Sequence, residues 1–216
     1  MILIPVKNLV DAKQRLSSVL TPSARAELAR AMCEDVFTAV SEWNQRPEVA
    51  VVTGDPFAID LAQRLGFGVI RDSDNPGETG AIESATRVCV ERGALSTLVI
   101  PADIPLIEIA ELQQIKDSAP LAGSVLAPDA AGRGTNAALR SPGNLFPLHF
   151  GNDSFLPHLA AAKPTGLPCV VLHLPGIALD LDRPDDLHRL AAASGERQSQ
   201  RLVRGWNLSV REKVHA

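Results

Sequence analysis

Short apolar runs alternate along the chain with stretches of helical spacing, and this alternation restricts the fold more than any other feature of the sequence. The runs that predict buried strands are residues 2–6, 48–54, 67–70, 97–100, 124–128, 167–174 and 177–181, with one more short strand predicted between glycine clusters near residues 132 and 151. Strands that alternate with helices form a mostly parallel sheet covered by helices on its faces. The sequence therefore predicts an α/β fold.

Residues suited to helix ends mark several of the predicted helices. Thr21 is suited to N-cap a helix whose first residue is Pro22, and apolar residues at helical spacing then run down to Pro47. A short helix follows Asp55-Pro56 and ends at Gly66. The remaining predicted helices cover residues 81–92, 105–118 and 153–163 and the segment that begins at Pro184.

The length of 216 residues allows one large domain with a sizeable core, and no linker interrupts the pattern before Gly195. We predict a single domain over residues 1–194. Residues 195–216 are polar and mildly basic, with Trp206 as the one strong hydrophobic anchor. This segment is predicted to be a tail that is flexible or packed at an interface with a neighbour.

Charge and composition exclude several classes of partner. The net charge of −4 and the pI near 5.7 provide no general field for nucleic acid or membrane. The first residues, MILIPVKN, do not resemble a signal peptide, so a cytoplasmic location is predicted. The three cysteines are isolated from one another, which predicts buried free thiols instead of a disulfide framework or a metal site.

Three cations follow the first predicted strand: Lys7, Lys13 and Arg15. In open α/β sheets, ligands bind in the crevice outside the carboxyl ends of the strands. Three positive charges at that position are suited to a triphosphate. The alternative from the residues alone is an ordinary solvated basic loop.

Aspartates at two other strand ends are candidate metal ligands. Asp103 leaves the end of a central apolar strand between two prolines, although it could instead cap the helix predicted from Pro105. Alternation across the predicted strand 177–181 sends the carboxylates of Asp180 and Asp182 to one face. Asp185 and Asp186 fall in the first turn of the next helix, where a structural role is predicted.

Two glycine clusters enclose the stretch from Gly132 to Ser154. Glycine lets a ligand approach the backbone closely, and the candidates for binding a phosphate or carboxylate there are Thr135, Asn136, Gly151 and Ser154. The second cluster also precedes a predicted helix, whose free N–H groups suit an anion. Two plain surface turns are the alternative. None of the five histidines shows ligand spacing, although His158 could face this site.

The polar loop 72–80, DSDNPGETG, is a second place for a nucleotide, because a loop that leads into a helix presents free backbone N–H groups. Glu78, Thr79 and Gly80 stand at that junction. From the residues alone, the loop could equally be a plain connection.

With these residues identified, the chain resembles the 2-phospho-L-lactate guanylyltransferase family, which includes the phosphoenolpyruvate and 3-phosphoglycerate guanylyltransferases of deazaflavin coenzyme F-420 biosynthesis. The resemblance rests on four segments in the expected order between residues 2 and 190: IPVKNLVDAKQRL, PADIPL, GRGTNAAL with HFGNDSF, and LDLDRPDDL. The combination is specific, whereas the aspartate motifs taken singly recur throughout nucleotidyltransferases of this fold.

The resemblance implies a single-domain, Rossmann-like nucleotidyltransferase of the nucleotide-diphospho-sugar transferase type, with three αβα layers and a mostly parallel mixed sheet. It implies transfer of GMP from GTP to the phosphate of a small phosphorylated acid, with magnesium as cofactor and release of pyrophosphate. Carried over by position, Lys7, Lys13 and Arg15 would neutralise the phosphates of GTP. Asp103 with Asp180, Asp182 or both would hold magnesium.

For the acid, the resemblance implies binding by Thr135, Gly151 and Ser154. The family often has Gly-Leu-Asn at the nucleotide-side helix start, where this chain has Gly80-Ala81-Ile82-Glu83. We therefore expect Glu78 or Thr79 to contribute to base recognition here, or the base to differ from guanine. The predicted partners are GTP and a phosphorylated acid, and a homodimer is also possible. The rival interpretations are a cytidylyl- or molybdopterin-type nucleotidyltransferase of the same fold and a nucleotide-binding paralogue without catalysis.

Overall fold

Residues 1–71, 77–151 and 153–206 are described by the computed structural model, with the side chain of Glu78 outside that description. Within them, apolar runs form seven strands: β1 (Ile2–Val6), β2 (Val49–Thr53), β3 (Gly68–Ile70), β4 (Thr97–Val99), β5 (Gly123–Pro128), β6 (Thr135–Ser141) and β7 (Cys169–Val171). The α-helices of the same residues are α1 (Pro22–Glu42), α2 (Pro56–Arg64), α3 (Glu78–Glu91), α4 (Ile109–Asp117), α5 (Phe155–Ala162), α6 (Pro184–Ala192) and α7 (Gln198–Gly205).

The seven strands form one mixed sheet in the order β3-β2-β1-β4-β6-β5-β7. β6 runs antiparallel to its neighbours β4 and β5, and the remaining pairs are parallel. The chain enters the sheet at β1, adds β2 and β3 on one side, and returns to add β4 on the other. The gap between the carboxyl ends of β1 and β4 is therefore the switch point at which α/β sheets bind ligands.

Helices cover both faces of the sheet, which gives the predicted three layers. One face packs against α1, α2 and α4, with Phe37 and Leu112 fully buried against strand residues such as Ile4. The other face packs against α3 and α5, with Ile82 fully buried beside Leu3. The predicted α/β class and the mostly parallel mixed sheet are confirmed.

The helix starts that the sequence marked are present. The Thr21 hydroxyl accepts a hydrogen bond from the N–H of Ala24, and Pro22 is the first residue of α1. The Asp55 carboxylate accepts from the N–H groups of Phe57 and Ala58 at the start of α2. These caps bond to neighbours two or three residues away, so they could be predicted from the local sequence.

Two helix boundaries differ from the prediction. α3 begins at Glu78, so residues 78–80 form its first turn instead of the end of a loop, and residues 72–76 of that loop lie outside the described part of the chain. The helix predicted from Pro105 begins at Ile109, with Glu108 as its N-cap. Asp103 therefore does not cap this helix, and the structural alternative for its carboxylate is wrong.

The strand predicted at residues 177–181 is absent from the sheet. Its backbone bonds to loops instead: Leu181 N–H donates to Asp103 O at 3.3 Å, and Ala178 O accepts from Ala130 N–H at 2.9 Å. Leu179 and Leu181 are buried in the cluster between α1, α6 and α7, and Ile177 is buried in the core against the sheet. This burial explains a strand-like pattern without a strand partner. The strand predicted at 167–174 is shorter than expected and forms the edge strand β7.

The polar segment after Gly195 contributes α7, which packs on α1 and α6. Buried Asp35 of α1 accepts hydrogen bonds from the N–H groups of Gln198 and Ser199 and from the Ser199 hydroxyl. Trp206 packs partly buried against the same cluster. Residues 207–216 of the predicted tail lie outside the described part of the chain.

Cys33, Cys89 and Cys169 are all free, and the first two are buried, as predicted, whereas Cys169 is partly exposed on the edge strand. Among the helices of the described residues, none combines the length and the apolar character needed to cross a membrane.

Candidate active site

Lys7 directly follows β1 and Asp103 follows the neighbouring strand β4, so both reach the switch point of the sheet. Both residues line a central cavity of about 500 Å³ above the carboxyl ends of these strands. The fold thus brings together the first cation and the first carboxylate that the sequence identified, which are 96 residues apart in the chain.

An ion-pair cluster closes one side of the central cavity. Lys13 Nζ donates to Asp103 Oδ2 at 2.6 Å and to Asp182 Oδ1 at 3.2 Å, and Arg15 donates to Asp182 Oδ2 at 2.7 Å. Lys13 adopts a left-handed backbone conformation, φ 56° and ψ 39°, which is uncommon for a residue with a Cβ. Such conformations concentrate at functional sites, where surrounding contacts stabilise them.

The pKa of Lys13 is raised by its two partners. Burial would lower the pKa of this amine, but the charges of Asp103 and Asp182 and their hydrogen bonds outweigh burial. The Lys13 side chain is only 8% exposed, so its positive charge is held firmly between the two carboxylates. The cluster keeps one permanent cation at the floor of the cleft.

Asp180 lies beside this cluster. Burial, followed by the nearby charges of Asp103 and Asp182, raises its pKa to about 6. The amide of Asn136 donates to Ile177 O at 2.9 Å, and its proximity to the Asp180 carboxylate partly offsets the rise in that pKa. Asn136, predicted as a substrate ligand, is 5% exposed and in the structure supports the segment that carries Asp180.

The three predicted metal ligands converge on one place, although Asp180 and Asp182 do not lie on a strand. Within the described residues, no group of three or more His, Cys, Asp or Glu side chains could hold a metal ion. Asp103 and Asp182 already share a cation, the ammonium of Lys13, and their carboxylates remain 34% and 37% exposed to the cleft. This donor set fits Mg²⁺, which usually binds one or two carboxylates together with waters and substrate phosphates.

Three cavities lie in a row across the cleft. A β2-side cavity of about 650 Å³ shares Lys7 with the central cavity and is lined also by Asp55, Phe57 and Gly77. A β6-side cavity of about 440 Å³ lies beyond Arg15 and Asp182, which line both it and the central cavity. The ion-pair cluster therefore stands between two compartments, an arrangement suited to two substrates.

Both glycine clusters line the β6-side cavity. Asp129 builds the first cluster, because its carboxylate accepts from Arg133 N–H at 2.8 Å and its N–H donates to Gly134 O at 3.0 Å. Gly151 of the second cluster has a φ of 135°, which a residue with a Cβ rarely adopts. Gly134 and Gly151 present backbone to the cavity.

Thr135 and Ser154 lie behind this backbone, 5% and 3% exposed. The Ser154 hydroxyl accepts from Thr135 N–H at 3.0 Å, which ties the start of β6 to the start of α5. Of the four residues predicted to bind the acid, only Gly151 lines the cavity, whereas Thr135 and Ser154 are buried next to the lining residues Gly134 and Asp153.

On the nucleotide side, Thr79 and Gly80 lie half-buried in the first turn of α3. The Thr79 hydroxyl accepts from Phe150 N–H at 2.9 Å and donates to Phe150 O at 3.3 Å, so it holds the loop that contains Gly151. The prediction for the Glu78 side chain lies outside the described part of the chain.

Sequence reasoning missed three exposed cations of the β6-side cavity, Arg133, Arg183 and Arg189. Arg133 stands inside the motif GRGT, so its flanking glycines were the available signal. Arg189 lies on α6, and no local pattern distinguishes it from a solvated helix residue.

Several solved structures of similar fold are described as nucleotide-transferring enzymes. A structure from Desulfovibrio desulfuricans G20, described as a nucleotide-diphospho-sugar transferase, superimposes with a TM-score of 0.76 at 17% identity and covers 94% of this chain and 93% of its own. At that identity, the likeness shows the fold alone.

Sequence relatives give the family. A phosphoenolpyruvate guanylyltransferase of Rubrobacter xylanophilus is 40% identical over 89% of this chain and 93% of its own length. A 3-phospho-D-glycerate guanylyltransferase of Colwellia psychrerythraea is 35% identical over 89% and 91%. A 2-phospho-L-lactate guanylyltransferase of Methanothermobacter thermautotrophicus is 34% identical over 86% and 81%.

The family model described as "Guanylyl transferase CofC like" matches residues 1–216, the whole chain. The cleft with its cation–carboxylate cluster and two compartments agrees with that match. The chain belongs to the CofC-like guanylyl transferase family.

Proposed function

We propose that this protein transfers GMP from GTP to the phosphate of a small phosphorylated acid and releases pyrophosphate. The observation that carries the proposal is the cluster of Lys13, Asp103 and Asp182 between two cavities. It provides fixed charges of both signs where a triphosphate and an acceptor phosphate would meet. The acids named for the relatives are phosphoenolpyruvate, 3-phospho-D-glycerate and 2-phospho-L-lactate.

The nucleotide is proposed to occupy the central and β2-side cavities. Lys7, Lys13 and Arg15 line the central cavity and would neutralise the phosphates. The base would lie in the β2-side cavity, which Gly77 at the start of α3 helps to line. Backbone N–H groups at the first turn of α3, at Glu78, Thr79 and Gly80, would be available to an anion or a base edge.

The acid is proposed to occupy the β6-side cavity. Backbone of Gly134 and Gly151 lines that cavity, with the hydroxyls of Thr135 and Ser154 directly behind. Arg133, whose side chain is 53% exposed, adds a positive charge at the rim. Small groups at the wall and a cation at the rim suit a compact anion with a phosphate and a carboxylate.

The reaction needs no protein nucleophile or general base. A phosphate monoester is mostly dianionic at pH 7, because its second pKa is about 6. One of its oxygens attacks the α-phosphorus of GTP, a new P–O bond forms, and the bond to the β-phosphate oxygen breaks as pyrophosphate leaves. Lys7, Lys13 and Arg15 stabilise the charge on the leaving group.

Magnesium is part of the proposal. Asp103 and Asp182, which share Lys13, would hold the ion through carboxylate oxygens, with Asp180 beside them. When bound, magnesium supplies positive charge to the phosphate oxygens as the transition state develops. The role in coenzyme F-420 biosynthesis, the cytoplasmic location, the homodimer and the lack of a nucleic-acid partner stay predictions.

The rival functions are not favoured. The relatives at 34% to 40% identity are named guanylyltransferases, whereas a cytidylyl- or molybdopterin-type activity has no comparable relative among those described above. A protein that only bound nucleotide would have no need for Asp103, Asp180 and Asp182 to converge beside the phosphate-binding cations.

The proposal is tested by measuring pyrophosphate release from GTP, ATP, CTP and UTP with each of the three acids. Turnover is expected with GTP and at least one acid, and no turnover with any pair would refute the proposed catalysis. Asp103→Asn is expected to lower kcat at least about 100-fold while GTP still binds. Asp117→Asn, an exposed aspartate on α4, is the matched control. A wild-type rate for Asp103→Asn would refute the metal assignment.

A further inference from the structure

Three consecutive backbone N–H groups in the loop between β6 and α5 each donate to a side chain from a helix. The pairs are Leu148 N–H to Glu83 Oε1 at 3.1 Å, His149 N–H to His158 Nε2 at 2.8 Å and Phe150 N–H to Thr79 Oγ1 at 2.9 Å. These three N–H groups therefore bond to side chains and not to the backbone of a neighbouring strand. Side chains of α3 and α5 thus fix the course of the loop up to Gly151. Of the three helix side chains, only that of His158 also contacts a residue predicted to bind the acid, Thr135.

His158 is fully buried on α5 between Thr135 and Phe150. Its Nδ1 is 2.9 Å from Thr135 Oγ1, and its ring stands edge-on to Phe150 with the ring centres 5.3 Å apart. A backbone N–H can only donate, so Nε2 must accept from His149. In a neutral ring the proton is then on Nδ1, and His158 donates to the Thr135 hydroxyl oxygen.

The surroundings keep this ring neutral. Burial first, and then the charges of His149 and Arg140, lower the pKa of His158 to about 4. At neutral pH the ring therefore has one donor and one acceptor, and both are engaged. A protonated ring would lose the acceptor that holds His149 N–H.

The donor from His158 determines what the Thr135 hydroxyl can do. Its oxygen receives the Nδ1 proton, so its own proton must point elsewhere. Within the described part of the chain, no acceptor is found for the hydroxyl proton of Thr135 or for that of Ser154, which itself accepts from Thr135 N–H. Gly134 and Asp153, the chain neighbours of these two residues, line the β6-side cavity.

We propose that His158 is a positioning residue of the acid site, which fixes the Thr135 hydroxyl as a donor to the bound acid and holds the loop that brings Gly151 to the same cavity. This inference rests on the proposed function. Nδ1 sets the direction of the Thr135 proton, and Nε2 sets the position of the loop. The bound acid would receive hydrogen bonds from the hydroxyls of Thr135 and Ser154 beside the glycine backbone of the cavity.

Two substitutions separate the contacts of the ring. A glutamine amide at position 158 reaches about as far as Nε2, so His158→Gln keeps an acceptor for His149 N–H and loses the donor to Thr135. An asparagine amide reaches about as far as Nδ1, so His158→Asn keeps a donor to Thr135. The matched controls are His188→Gln and His188→Asn, at an exposed histidine on α6.

Steady-state kinetics with GTP and the acid turned over by the wild type distinguish positioning from general packing. His158→Gln is expected to raise KM for the acid about tenfold, the effect of one misdirected hydrogen bond to a charged group, and to leave KM for GTP within about twofold. His158→Asn is expected to bring KM for the acid back towards the wild-type value. Equal losses of kcat in both variants, with neither KM changed, would show a structural role only and overturn the proposal.

A second measurement needs no variant and no turnover. Long-range ¹H–¹⁵N NMR of the histidine ring in the wild-type protein is expected to show the Nδ1–H tautomer for His158, and an Nε2–H tautomer would overturn the proposal. If the wild type turns over none of the acids, the proposed function is wrong. If it turns over an acid whose KM is unchanged in His158→Gln, the positioning role alone is wrong.

Discussion

Acidification from pH 7 to pH 4 is expected to remove about 3 kcal/mol of the free energy of unfolding through His158 alone. The group has an ordinary pKa of 6.5, and burial followed by the charges of His149 and Arg140 lowers it to about 4 in the folded protein. The unfolded chain therefore binds a proton between these values when the folded protein does not. Stability is fully present above pH 6.5 and is lost as the pH falls towards 4.

The magnitude follows from the two pKa values. A difference of about 2.5 pKa units at about 1.36 kcal/mol per unit sets a ceiling of about 3.4 kcal/mol. At pH 5 the loss is about 2 kcal/mol, and at pH 4 it is about 3 kcal/mol, because the folded protein itself begins to bind the proton there. Below pH 4 the loss grows by only about 0.4 kcal/mol more, to the ceiling, because both states then bind the proton.

Urea denaturation of the wild type and of His158→Gln between pH 7 and pH 4 isolates this contribution. The difference in free energy of unfolding between the two proteins is expected to shrink by about 2 kcal/mol at pH 5, because the variant lacks the titrating ring and the other groups cancel. His188→Gln should follow the wild type at every pH. A difference that stays constant from pH 7 to pH 4 would refute the assignment of a buried neutral ring.

Three further substitutions test other parts of the structure. Lys13→Met is expected to lower the free energy of unfolding by about 1–2 kcal/mol in urea, because two partly exposed carboxylates lose their shared cation. If the changes in this free energy caused by Lys13→Met and Asp182→Asn simply add in the double variant, the coupling between the two residues is contradicted. Glu83→Gln should cost about 3 kcal/mol, because Arg140 is fully buried and loses its carboxylate, and an unchanged urea midpoint would exclude this ion pair. Asp35→Ala removes three hydrogen bonds to the start of α7 and should lower the free energy of unfolding by about 2 kcal/mol. The variant should also be cleaved by protease within α7. A wild-type digestion pattern would mean that packing alone holds the helix.

Signals that act over a few residues could be interpreted before the structure. Thr21 and Asp55 bond to N–H groups two or three residues away, so the starts of α1 and α2 follow from the local sequence. Apolar runs of five or six residues predicted β1, β2 and β5 because a strand buried on both faces leaves no room for polar side chains. The same reasoning placed Lys7 and Asp103 at strand ends.

Sequence reasoning failed where the same local pattern could arise either from a strand in the sheet or from other packing. Residues 177–181 alternate like a strand, but Leu179 and Leu181 are buried between helices and the backbone of the segment bonds to loops. α7 has few apolar residues, and a carboxylate on α1 caps it from 163 residues away in the chain. A contact of that range leaves no mark near the helix itself.

The candidate site shows the same division. The resemblance of four segments identified the family, and the chemistry of lysines, arginine and aspartates indicated a nucleotide and a metal. The sequence did not show that Lys13 lies between Asp103 and Asp182, or that Thr79 would hold a loop. It also assigned Asn136 to substrate, whereas the amide supports the segment that carries Asp180.

The sequence by itself determined the α/β class, the family and the kinds of groups in the cleft, because strand burial, helix caps and charged side chains act through local chemistry. Tertiary structure alone decided which of these groups meet, that the hydroxyls of Thr135 and Ser154 stand behind glycine backbone, and that buried His158 has its proton on Nδ1. The physical reason is that a tautomer, a hydroxyl direction and a shifted pKa depend on partners from β6, α5 and the loop between them. Only the packing of the sheet brings those partners within hydrogen-bond distance.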